Sequence, residues 1–133
     1  MAVLERVLAH VDAQLEQSLE RLFALLRIAS VSTDPAYAPH CAQAAAHLAR
    51  ELAAIGFEAS VRPTAGHPIV IGKAANGGGP GPSVLFYGHY DVQPVDPLQL
   101  WETPPFEPRL ACGRHEGLLN VGRVACVAKH QLK

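Results

Sequence analysis

The chain has 133 residues, 49% of them hydrophobic, which suits one small domain with a core of its own. Eleven Lys and Arg stand against twelve Asp and Glu, for a net charge of −1, and the basic residues are scattered, so the stripe that a nucleic-acid surface needs is missing. Cys41, Cys112 and Cys126 are an odd number without metal-knuckle spacing, which argues against a disulfide framework or a structural zinc site and for buried or idle thiols.

The opening MAVLERVLAHVDAQLEQ carries Glu5, Arg6, Asp12 and Glu16, so it lacks the unbroken apolar stretch of a signal peptide or membrane span. A cytoplasmic protein with no membrane partner is expected. Apolar residues at Leu4, Leu8, Val11, Leu15, Leu19, Leu22 and Leu26 predict one long helix, with Asp12, Glu16 and Glu20 on its solvated face. IASVSTDPAYAP then reads as a loop, because Asp34-Pro35 disfavours helix there.

A second helix is predicted from about Pro39 to Ile55, with Cys41, Ala45, Leu48, Leu52 and Ile55 on one face and Gly56 just past its end. FEASVRP and HPIVIGKA have the character of short strands. NGGGPGP has neither the Lys-Ser or Lys-Thr pair nor the following helix of a phosphate cradle, and reads as a flexible turn. Val84 to Tyr87 is a continuous apolar run, as expected for a strand buried on both faces. Helix, helix, strand, strand, strand is a piece of a layered α/β domain. His89 and Asp91 would then lie just beyond a strand's carboxyl end, where open α/β sheets collect binding groups.

A neutral imidazole is a good metal ligand, and a carboxylate on its other ring nitrogen fixes the tautomer. In extended backbone residues i and i+2 share a side, so Asp91 is expected near the His89 ring. Taken alone, a His-x-Asp pair is more often a surface or packing coincidence. His10, His40, His47 and His67 have no ligand spacing to one another and read as solvated or packing side chains.

The stretch GHYDVQPVDPLQLWETPPFEP resembles the first metal-ligand segment of the zinc-dependent aminoacyl-peptidase and deacylase family. Carnosine-type dipeptidases, acetylornithine deacetylase, succinyl-diaminopimelate desuccinylase, aminoacylase and carboxypeptidase G belong to that family. The matching positions are Gly88, His89, Asp91, Val92, Pro94, Trp101, Pro105, Phe106 and Pro108; LLRIASVS fits the family's N-terminus, and Tyr90 and Gln93 lean toward its dipeptidase branch. The resemblance implies an incomplete layered α/β fold, the N-terminal part of a phosphorylase/hydrolase-like metallopeptidase catalytic domain. It implies hydrolysis of small peptides or N-acyl amino acids, two zinc ions and a homodimer in full-length relatives. His89 would ligate one metal, Asp91 would serve catalysis by orienting His89, Gly88 would allow close backbone approach, and Trp101 and Phe106 would pack under the site.

The family continues with Gly-Arg-Gly-x-x-Asp-x-Lys-Gly, in which the Asp bridges both metals. Here Gly122, Arg123 and Lys129 match, while Val124, Val127 and His130 replace the second Gly, the bridging Asp and the last Gly. A valine has no lone pair for a cation, so at most one weak metal site is expected. His115 and Glu116 do not make a substitute, since HEGLL lacks the second His of a His-Glu-x-x-His helix. Residues 1–133 are therefore expected to be a truncated portion of the catalytic domain without a dimerisation domain, 110–133 being either a frame-change product or real divergence. The alternative is a non-catalytic remnant or binding module.

Overall fold

The computed structural model describes residues 2–74, 81–101, 104–111 and 125–126. The chain divides into two compact units, Met1–Arg27 with Thr103–Lys133, and Ile28–Glu102.

In the first unit, α1 (Val3–Ala13) and α2 (Leu15–Leu26) replace the single predicted helix. The break is slight. Gln14 has ψ near 6° instead of a helical value, yet its amide still donates to the carbonyls of His10 and Val11 at 3.1 and 3.2 Å. Glu5 starts α1 by accepting from the Ala2 amide at 3.1 Å, which satisfies one of the free N–H groups of a helix start. The predicted apolar stripe is present but largely exposed, from Leu4 to Leu22; Phe23 is the buried residue of α2. Leu110–Ala111 (β3) and Ala125–Cys126 (β4) pair antiparallel in this unit.

The second unit holds the secondary structure that positions the candidate site. Asp34 is extended, as a residue before proline must be, and its carboxylate accepts from the Ala36 amide at 2.9 Å. Pro35 then opens a short 3-10 helix, Pro35–Tyr37, inside the segment expected to be loop, because its fixed φ suits a first helical turn. It leads into α3 (Ala38–Ala54), close to the predicted limits. α3 buries the small side chains Cys41, Ala44 and Ala45, whereas Ile55, predicted on the buried face, is exposed because it falls beyond the last helical residue. Gly56 follows with φ of 90°, a left-handed conformation that glycine adopts without a Cβ penalty.

The chain reverses there into β1 (Phe57–Arg62), which pairs antiparallel with β2 (Ile69–Ala74), Phe57 opposite Ala74 and Arg62 opposite Ile69. α3 packs on both strands. Leu52 approaches the hairpin so closely at Gly72 that a Cβ there would lie 3.1 Å from one of its methyls. Helices beside a small sheet keep the fold in the predicted α/β class, although this sheet is an antiparallel hairpin.

The third predicted strand is not formed. Val84, Leu85, Phe86 and Tyr87 lie outside any strand and are 75–92% exposed. A strand buried on both faces needs hydrogen-bonding neighbours on both edges, and no described strand lies alongside this run. Positions 76–80 of the glycine-rich turn and the departures at Val124, Val127 and His130 lie outside the described residues, as do His115, Glu116 and Lys129.

Candidate metal-binding site

Two extended segments, far apart in sequence, meet around the predicted pair. Val31 and Val92 form a parallel bridge, and the Val92 amide donates to the Ser30 carbonyl at 2.9 Å. Val31 is buried at 3% exposure, and Ser30 is fully buried with its hydroxyl donating to the Tyr90 carbonyl at 2.7 Å. The buried hydroxyl is thus satisfied, as burial of a polar group requires. His89 and Asp91 are therefore held by pairing with the 30–32 segment and not by the end of a sheet strand.

The local geometry follows the i, i+2 expectation. Nδ1 of His89 lies 3.1 Å from Oδ1 of Asp91 and 3.1 Å from its backbone oxygen. An ionised carboxylate and a carbonyl can only accept, so Nδ1 carries the proton and the Nε2 lone pair is left free for another partner. The imidazole is 75% exposed and the carboxylate 41%.

Asp91 has a second partner. The Ser32 hydroxyl donates to Oδ2 at 2.6 Å, and this bond is the largest influence holding the Asp91 carboxyl below its usual range; partial burial opposes it and His89 adds to it. Around this core, Nε2 of His67 donates to the Ser32 carbonyl at 2.7 Å, and the Tyr90 hydroxyl donates to the Pro68 carbonyl. Burial, the largest cause, raises the Tyr90 pKa. Trp101 is half-buried, with its indole N–H donating to the Val95 carbonyl at 2.8 Å.

A Cβ built at Gly88 has nothing within 4 Å among the described residues. His67 takes the packing side of its expected reading, since it ties the β1–β2 turn to the site through the Ser32 carbonyl. Ser30, Ser32, His67 and Tyr90 were all missed as site residues. Ser-x-Ser at 30–32 repeats the two-residue spacing of His-x-Asp at 89–91, a signal of two extended segments that could have been matched to each other.

No protein-family model matches the chain. Over 101 residues, 66% of the chain, it is 36% identical to the Cys-Gly metallodipeptidase DUG1 of Candida albicans, covering 21% of that protein. Over 67 residues it is 39% identical to a succinyl-diaminopimelate desuccinylase of Aromatoleum aromaticum, covering half of this chain and 17% of that one. The solved structure of the di-peptidase Dug1p from Saccharomyces cerevisiae superposes on 82% of the chain with a TM-score of 0.71 at 26% identity, using 25% of its own length. These likenesses support a fragment of the metallodipeptidase and desuccinylase family. It spans about a fifth of the length of the curated relatives it matches.

The family name carries a metal, and the donor set can be tested against one. His89, neutral at Nε2 and braced at Nδ1, fits a divalent ion as a single donor. Among the described residues no group of three or more His, Cys, Asp or Glu side chains comes together. A catalytic zinc takes about three protein ligands, so these residues alone do not fit a resident ion, and no reaction step is derived through one.

Proposed function

We propose that the chain descends from a metal-dependent hydrolase of peptide or acyl-amide bonds, dipeptidase-like, and that it does not hydrolyse them by itself. His89 is the metal ligand of this reading, zinc the ion, and Asp91 the group that orients His89. The observation that carries it is the contact of His89 Nδ1 with both acceptors of Asp91, which leaves one ring nitrogen prepared for a cation. In such hydrolases a bound ion polarises the scissile carbonyl and activates water. What this chain's residues do is narrower: Asp91 selects the tautomer, Ser30 and Val31 hold the backbone, and His89 offers one nitrogen.

Small peptides or N-acyl amino acids are the substrate class, in keeping with the dipeptidase and desuccinylase names of the relatives. A cytoplasmic setting fits the charged residues of the opening helix; no described helix is long and apolar enough to cross a membrane. A non-catalytic reading is favoured by one specific residue, Val127, which stands where the resemblance calls for the bridging Asp.

Incubation with zinc, manganese or cobalt and a panel of dipeptides tests the proposal. No hydrolysis above buffer is expected, with zinc binding in calorimetry that is weak, limited to one ion at most and lost in His89→Ala. Measurable turnover, or zinc binding that survives His89→Ala, would refute it.

A further inference from the structure

The His89–Asp91 brace is exposed, and an exposed pair held at one point competes with water. Asp91 is held at two. Its Oδ1 faces His89 and its Oδ2 receives the Ser32 hydroxyl, so rotation of the carboxylate away from the ring would break a second bond, 2.6 Å long. Ser32 in turn is fixed from its other side, because its carbonyl accepts from His67. The hydroxyl and the carbonyl of one residue therefore link two histidines of opposite tautomer, His89 protonated on Nδ1 and His67 on Nε2.

We infer that Ser32 is a positioning residue of the site: its hydroxyl orients the Asp91 carboxylate, which together with the Asp91 backbone carbonyl sets which nitrogen of His89 is free. The inference rests on the reading of His89 as a metal ligand, but its readout is the ring tautomer and needs no metal. Two separate contacts support it, the hydroxyl on the carboxylate and the His67 lock on the Ser32 backbone.

The test is long-range 1H–15N NMR of the histidine rings in the full chain, well above the histidine titration range, for the native sequence and Ser32→Ala, Ser32→Thr and Ser32→Val. Thr keeps the hydroxyl, and Val is its isostere without one. The native chain and Ser32→Thr should show His89 as a single Nδ1–H tautomer. In Ser32→Ala and Ser32→Val the two His89 nitrogen shifts should move toward each other, with loss of the single-tautomer pattern. His67 should keep its Nε2–H pattern in all four, since it contacts the backbone of residue 32. An unchanged His89 pattern in the Ala and Val variants overturns the inference. So does loss of the His67 pattern along with that of His89, because the hydroxyl would then hold the loop and not the carboxylate. Zinc titration of the native chain, followed at His89 Nε2, tests the metal reading separately; no response there sinks that reading and leaves the positioning result standing.

Discussion

Val31 and Val92 sit side by side in a parallel bridge, and this one pairing brings the serines of the 30–32 segment to the His-x-Asp pair. Val31 is 3% exposed, so Val31→Ala removes two buried methyl groups and leaves a void, at a cost of about 2 kcal/mol. The Val92 amide, which donates to the Ser30 carbonyl, should then exchange with solvent about 30-fold faster. Hydrogen exchange resolved at Val92 checks this, and an unchanged rate would mean that Val31 does not hold the two segments together.

The Asp91 carboxyl is held low chiefly by the Ser32 hydroxyl. A folded-state pKa depressed below the unfolded value contributes stability that is present above the unfolded pKa and is lost as pH falls through the folded one. Asp91 should therefore titrate below the ordinary aspartate value of about 3.9, and Ser32→Ala should move its midpoint upward. Carbon NMR of the Asp91 side chain reads both; a native midpoint at or above the ordinary value contradicts the assignment.

Four consecutive apolar residues, Val84 to Tyr87, are 75–92% exposed. An exposed apolar run with unpaired backbone is a template for association. The purified chain should self-associate with rising concentration, and Phe86→Lys should reduce light scattering at the same concentration. A native chain that stays monomeric across the range and melts cooperatively would count against it.

Gly56 has φ of 90° just after α3, with its amide on the Ala53 carbonyl at 3.0 Å. An Ala side chain has open space there but not the backbone conformation. Gly56→Ala should cost about 1 kcal/mol and lower the melting midpoint, with Gly56→Asn intermediate. Equal midpoints for all three would show that the turn does not need the left-handed residue.

Local patterns in the chain determined what local physics controls. The spacing of apolar residues marked the helices, Gly56 marked the end of α3, short strand-like runs marked β1 and β2, and two-residue spacing placed Asp91 against His89, because each depends on backbone geometry within a few residues. Tertiary structure alone decided the rest. Whether Val84 to Tyr87 is a strand depends on neighbours that supply hydrogen bonds, and whether the stripe of α1 and α2 is buried depends on what packs there. That Ser32 and His67 support the site depends on segments brought together by folding. Beyond the two-residue spacing that Ser30 and Ser32 share with His89 and Asp91, such pairings leave no trace in the pattern, since each joins residues whose separation in sequence has no bearing on the contact they make.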